Sequence, residues 1–275
     1  MTPPQQSKVT GAKQSSRILT RAIVRPPSRN FSDGLSTAGL GAPSYELALK
    51  QHADYCAALE QCGLTLTYLE ADFAYPDSTF VEDTAVLTES AAMLTRPGAP
   101  SRRGEVQSIS QLLGSFLSPA GIQTIQAPGT IDGGDVCEAE DHFFIGISER
   151  TNQAGAEQLA EWLAASDFTL GFVDIQREST LLHLKSGLAY LGENRLVVTD
   201  ALAHREEFTG YEHIRVCPEE EYGANCVRIN DYVLIPSACV KLGDCLERLG
   251  YRTIALEMSE FQKMDGGLSC LSLRF

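Results

Sequence analysis

Apolar residues in this chain fall into short runs that pair across tight polar turns, and the paired layout recurs. Residues 84–87 read as a strand, Glu89-Ser90 as a turn and residues 92–95 as its partner, with a helical stretch over 105–117 behind them. The layout returns at Val136, a turn over 138–141 and a strand over 142–147, followed by an amphipathic helix over 154–165. It returns again at 187–191 and 195–199 around Gly192-Glu193-Asn194. A fourth copy pairs 226–229 with 232–235 across Asn230-Asp231 and leads into a helix over 240–249. Asn, Asp, Gly and Glu stand where hairpin turns want them.

The fifth copy is incomplete. The C-terminus offers only residues 269–275, and the N-terminal strand over 17–24 supplies the missing partner. Joining first and last strands closes a ring of αβ units, as propellers do. A plain mixed α/β sheet with several hairpins is the alternative, because the repeat spacing is uneven.

Composition narrows the function classes. A chain of 275 residues supports a full core, and 43% hydrophobic with 21% charged content is that of an ordinary globular protein. A net charge of −14 argues against nucleic acid, which wants a basic face, and is compatible with a cationic substrate. Residues 1–16 are polar and lack a signal peptide's apolar stretch, so they read as a disordered tail ahead of one domain over 17–275. No run has the length of a membrane span. Eight cysteines without secretion signals suggest free thiols and a cytoplasmic protein. Cys56/Cys62 and Cys239/Cys245 have no zinc-knuckle spacing.

Candidate chemistry concentrates at the turns. Cys270 follows Asp265-Gly266-Gly267 and precedes the alternating Leu271, Leu273 and Phe275, a thiol at a turn-to-strand junction. Glu82 and Asp83 are adjacent acids just before a strand, able to face one cavity and suited to a planar guanidinium; a solvated turn is the bland reading. Arg102 and Arg103 end a Pro- and Gly-rich loop, and Arg150 sits at the equivalent place in the next unit. Two such arginines together would clamp a carboxylate, although single arginines are mostly surface charge. Asp132-Gly133-Gly134 repeats the motif before Cys270. His183 lies between leucines, where a histidine is more often a hydrogen-bonded core residue than a general acid/base. A lone cysteine with a distant histidine is nonetheless a known catalytic arrangement.

From about Arg17 to Phe275 the chain resembles the dimethylarginine dimethylaminohydrolase family of the pentein (guanidine-modifying) superfamily. FVEDTAV, LTRPGAPSRRGE, DGGDV, SERTNQAGAEQLA, LHLKS and DGGLSCLSLRF occur in that family's order and spacing. The resemblance implies a five-bladed α/β propeller of ββαβ-type units with the active site in its central channel. It implies Cys270 as nucleophile, His183 as general acid/base, and Asp132, where some relatives carry Glu, as the acid beside the histidine. Glu82 and Asp83 would hold the guanidinium, and Arg102 with Arg150 the α-carboxylate. Asp77, helped by the backbones of Leu35 and Met264, would hold the α-amino group, and residues 30–40 match a mobile loop over the site.

The implied reaction is hydrolysis of Nω-methylated arginines to citrulline through a cysteine thiouronium. It uses no metal or organic cofactor. The implied partner is a small cationic amino acid, with no nucleic acid or membrane, and a homodimer is left open. Arginine deiminase is a rival, but it usually carries an added helical module; agmatine deiminase would not need the carboxylate clamp. A silent arginine-derivative binder on the same fold is disfavoured by an intact Cys270 and His183.

Overall fold

In the computed structural model, which describes residues 18–275, the strands sort into five three-stranded sheets. The expected tail over 1–16 and the first residue of the 17–24 strand lie outside the described residues. Strand β1 (Arg21–Val24) leads through helix α1 (Tyr45–Gln61) to β2 (Thr65–Tyr68), which runs parallel to β1. Four complete units follow. The first is the hairpin β3 (Ala85–Leu87) and β4 (Ala92–Leu94), helix α2 (Val106–Leu113) and β5 (Ile122–Thr124), parallel to β4. The second is β6 (Val136–Ala139), β7 (His142–Ile147), α3 (Gln153–Ala164) and β8 (Thr169–Asp174).

The third is β9 (Leu188–Tyr190), β10 (Arg195–Val198) and β11 (Glu212–Arg215), with only a short 3₁₀ turn (Glu206–Phe208) as its crossover. The fourth is β12 (Val227–Ile229), β13 (Tyr232–Pro236), α4 (Val240–Arg248) and β14 (Arg252–Leu256). A single helical turn, α5 (Ser259–Gln262), then leads to the last strand, β15 (Ser272–Arg274). β15 pairs antiparallel with β1, so the hairpin of the closing unit is assembled from the two ends of the chain. Phe275 N–H donates to the Arg21 carbonyl at 2.9 Å, and Arg21 N–H donates back at 2.8 Å. The ring that the sequence pattern favours over a plain sheet is therefore the fold, with all five inner strands (β3, β6, β9, β12 and β15) lining one central cavity.

The hairpins form where the sequence supplies turn residues. Asn194 (φ 59°) and Asn230 (φ 52°) take the left-handed conformation that tight two-residue turns require. Helices cover the outer sheet faces by their apolar stripes. In α3, Ala156, Leu159, Ala160 and Leu163 fall at helical spacing and are buried against Phe143 and Ile145 of β7. Each fully buried leucine there stabilises the fold by about 1.5–3 kcal/mol relative to leaving it exposed. Asn152 caps this helix, its side chain accepting from Gly155 N–H.

Two expectations change. The strand expected over 269–275 begins only at Ser272, because Ser269–Leu271 forms a 3₁₀ turn, and Cys270 sits on that turn. The third strand of every unit, and α1 itself, had no hairpin turn to announce them. Those strands pair in parallel across a crossover, and β2, β5, β8, β11 and β14 are mostly exposed or half-buried and carry little alternation.

Candidate active site

Each of the five inner strands is entered through a 3₁₀ turn at the same end of the ring. The turns are Val81–Thr84, Gly133–Asp135, Leu184–Ser186, Pro218–Asn225 and Ser269–Leu271. Around the ring the first four pack side by side, and the fifth packs back on the first. This is why Glu82, Asp83, Asp132, His183 and Cys270, scattered over the sequence, belong to one neighbourhood. Above the turns lies a cavity of about 470 Å³ lined by Cys270, His183, Gly134, Ser186, Thr37 and Leu40 among others. Below them the inner strands enclose a second cavity of about 210 Å³. Lys185, Asn225 and Ser269 line both and form the partition between them.

Asp132 is fully buried and reaches the histidine directly. Its Oδ2 lies 3.1 Å from His183 Nε2, and its Oδ1 accepts from Gly98 N–H at 2.9 Å. Burial would lower the imidazole pKa, but the charge of Asp83, the hydrogen bond to Asp132 and the charge of Asp135 outweigh it and raise His183 to about 9. Burial likewise works to raise Asp132, and the hydrogen bond and charge of His183 prevail, holding the carboxylate below its usual range. The pair is thus an imidazolium and a carboxylate at neutral pH. Gly134 explains the repeated glycines of this motif: a Cβ there would stand 2.6 Å from His183 Nδ1 and 3.0 Å from Asp83 Oδ1.

Cys270 is partly exposed, and Gly267 N–H donates to its Sγ at 3.4 Å. Burial, together with the negative charges of Glu82 and Asp83, pushes this thiol up to about 12. It is therefore a neutral thiol on the same cavity as a cationic histidine.

The acids are arranged differently from the expectation that both face one cavity. Consecutive residues on a 3₁₀ turn project about 120° apart, and neither side chain lines the upper cavity. Asp83 Oδ2 binds Arg102 at 2.6 Å while its Oδ1 accepts from Gly134 N–H. Glu82 points toward the lower cavity, paired with Lys185 at 2.7 Å and Arg274 at 3.0 Å, and accepts from Ser269 Oγ at 2.6 Å.

Arg102 also departs from its expected role. Rather than standing free to clamp a carboxylate with Arg150, it is buried and bound to Asp83, to Glu105 at 2.9 Å and to the carbonyls of Asp77 and Phe80. Its planar fork is consumed by the acids beneath the site. Arg150 makes no side-chain hydrogen bond or ion pair among the described residues, and its charge acts on Asp77. Burial raises the Asp77 carboxyl pKa, opposed by Arg102 and by the Leu35 N–H that donates to both its oxygens at 3.0 and 3.2 Å. Met264 is buried on the same side, its Cε 3.2 Å from where a Cβ on Gly34 would stand. The loop over 30–40 closes over this end through Ser36 Oγ, which donates to the Lys263 carbonyl, and through Thr37, whose N–H and hydroxyl both donate to Asp265.

Sequence reasoning missed Lys185, Asn225, Ser269 and Arg274. Lys185, Asn225 and Ser269 lie on the entering turns, so the unit repeat was the signal that would have found them; Arg274 ends β15 and reaches back to the turn through the Ser269 carbonyl. Asp83, Asp132 and His183 offer ligand atoms within 4.8 Å of one another, a spacing a divalent cation could use. Arg102, Gly98 and the histidine–carboxylate contact already occupy those atoms.

A family model described as "N,N dimethylarginine dimethylhydrolase, eukaryotic" matches residues 42–209. The N(G),N(G)-dimethylarginine dimethylaminohydrolase of Pseudomonas aeruginosa is 42% identical over 94% of this chain and all of its own length. A solved structure of a cysteine-to-serine variant from Pseudomonas aeruginosa, complexed with citrulline, superposes with a TM-score of 0.91 at 40% identity, covering 94% of this chain and 100% of that one. A histidine-to-glycine dimethylarginine dimethylaminohydrolase variant, solved as an adduct with S-methyl-L-thiocitrulline, superposes with a TM-score of 0.90 at 41% identity and the same coverage.

Proposed function

The chain belongs to the dimethylarginine dimethylaminohydrolase family, and from that premise we propose that it hydrolyses asymmetric dimethylarginine and monomethylarginine to citrulline, releasing dimethylamine or methylamine. One observation carries the assignment of roles: a neutral thiol and an imidazolium share one cavity above two acids. Nothing in the resting site ionises Cys270. Burial first, and then the negative charges of Glu82 and Asp83, the acids that the family resemblance assigns to the substrate's guanidinium, hold its thiol up. A guanidinium beside the sulfur offsets that charge, so the thiol gives its proton to solvent and the thiolate forms when the electrophile is in position.

The thiolate attacks the central guanidinium carbon. His183, already protonated and held in orientation by Asp132, gives its proton to the departing amine, which leaves a thiouronium on Cys270. The now neutral imidazole takes a proton from water, the water oxygen bonds to the same carbon, and collapse returns the thiol and citrulline. Arg150 takes the α-carboxylate, with Arg102 contributing charge from beneath. Asp77 and the backbones of Leu35 and Met264 take the α-ammonium group. All eight cysteines are free, which suits a reducing cytoplasm, and no helix among the described residues is long and apolar enough to cross a membrane.

The test is turnover of asymmetric dimethylarginine, monomethylarginine, arginine and agmatine, read as citrulline or carbamoyl product together with released amine. Citrulline is expected from the methylated substrates, and citrulline from arginine alone would overturn the substrate assignment. Cys270→Ser should lower kcat by about 10³-fold or more and abolish the covalent adduct. Turnover persisting in that variant would remove Cys270 as the nucleophile.

A further inference from the structure

Four of the five units give the site a reacting or substrate-holding group at the turn that enters the inner strand. These are Glu82 and Asp83 in the first, Asp132 in the second, His183 in the third and Cys270 in the closing unit. The fourth unit has had no role. At its equivalent point, the end of the Pro218–Asn225 turn, stands Asn225, buried in the partition between the two cavities.

We propose that Asn225 is the fourth unit's contribution: a positioning residue that fixes the His183 turn and the Cys270 turn relative to each other. Its Nδ2 donates to the Lys185 carbonyl at 2.7 Å and to Ser269 Oγ at 3.0 Å, while its Oδ1 accepts from Ser269 N–H at 3.0 Å. The Lys185 carbonyl can only accept and the Ser269 N–H can only donate, so the orientation of the carboxamide is settled. One planar head thus ties the backbone two residues after His183 to the backbone one residue before Cys270, across two different sheets. The tie continues to the substrate acids, because Ser269 Oγ donates onward to Glu82 at 2.6 Å.

The sequence around Cys270 accommodates this side chain. A Cβ on Gly267 would stand 2.1 Å from Asn225 Oδ1, so the second glycine of the Asp265-Gly266-Gly267 motif is what admits the carboxamide. No other side chain of this size supplies two amide protons and a carbonyl on one rigid head. Aspartate could not donate to Lys185, and leucine would leave the Ser269 N–H buried without a partner. Asn225 does not take part in proton or group transfer; it acts through the separation of thiol and imidazole.

The inference rests on Cys270 and His183 being the reacting pair, and the experiment separates the two. Asn225→Ala and the milder Asn225→Ser are compared with Asn230→Gly. Asn230 ties the backbones of Leu19 and Cys62 away from the site, and its left-handed turn suits glycine. Steady-state citrulline kinetics and thermal unfolding are measured on each variant. A misplacement of about 1 Å costs about 100-fold, so Asn225→Ala should lose about that much in kcat with KM changed by no more than about threefold. Asn225→Ser should lose less, and Asn230→Gly should keep kcat within about threefold even where its melting temperature falls. The proposal is overturned if a folded Asn225 variant keeps kcat within about threefold of the parent. A change confined to KM, or a kcat loss in Asn225→Ala and Asn230→Gly alike that follows only their folded fraction, also overturns it. Should alanine not fold, the serine variant decides by the same criteria. A Cys270→Ser variant that is inactive beside an unaffected Asn225 variant removes this proposal alone; an active Cys270→Ser variant removes the reading beneath it.

Discussion

His183 and Asp132 show how a side chain's surroundings choose its chemistry. The imidazole is buried, which by itself favours the neutral ring, yet three acids around it prevail and hold it near pKa 9. Removing one of them, in Asp132→Asn, should move the alkaline limb of the kcat–pH profile to lower pH, because that limb reports loss of the imidazolium that protonates the leaving amine. An unmoved limb would take the proton-donor role from His183. The same shift bears on stability. The folded value lies above the ordinary histidine value of about 6.5, so the stability that His183 contributes is complete below about 6.5 and is lost as pH rises through about 9, while that of Asp132, held below its usual range, is lost only in acid. In the sequence these residues were singled out by the resemblance to the family, since a histidine between leucines reads on its own as a core residue. Side-chain directions were not legible there. Glu82 and Asp83 read as a pair facing one cavity, and the splay of a 3₁₀ turn sends them to different partners.

The recurring element is the 3₁₀ turn that enters each inner strand, and it repeats chemistry as well as shape. Sequence analysis found the hairpins it leads into, since turn residues and alternating apolar runs announce them. The turns themselves are too short to carry a period. The loop over 30–40 is a second element whose role depends on contacts far along the chain. Its Thr37 is held by Asp265, 228 positions away and five before Cys270. Asp265 has φ 57°, so Asp265→Gly removes the carboxylate without straining the turn. Loss of hydrogen bonds to a charged group of this kind should raise KM about tenfold with a smaller change in kcat. An unchanged KM in steady-state assays would show that this latch does not hold the loop over substrate.

For the whole molecule, closure of the ring links stability to catalysis. β15 begins two residues after Cys270 and is held by β1, by the carboxyl-terminal backbone pairing and by Tyr55 Oη against Ser272 Oγ at 2.7 Å. Leu273 is buried in the cluster that includes Ile23 and Val81. Leu273→Ala should therefore cost about 2–5 kcal/mol in urea unfolding. Activity should fall at temperatures where the bulk of the fold persists, because the nucleophile's turn is anchored on this strand. A stability change below about 0.5 kcal/mol would mean the closing strand is not under that constraint.

By itself the sequence determined the repeated hairpins and the residue types suited to cysteine chemistry on a guanidinium, while it favoured the meeting of the first and last strands that the structure then showed. Each is encoded locally, by turn chemistry, apolar alternation or functional-group identity. Only the tertiary structure decided which partners those groups take: that Arg102 is consumed by buried acids, that Lys185 and Arg274 hold Glu82, and that Asn225 joins the two reacting turns. Those contacts join residues from different sheets, and no period or spacing along one chain records which side of a turn will face which neighbour once the ring has closed.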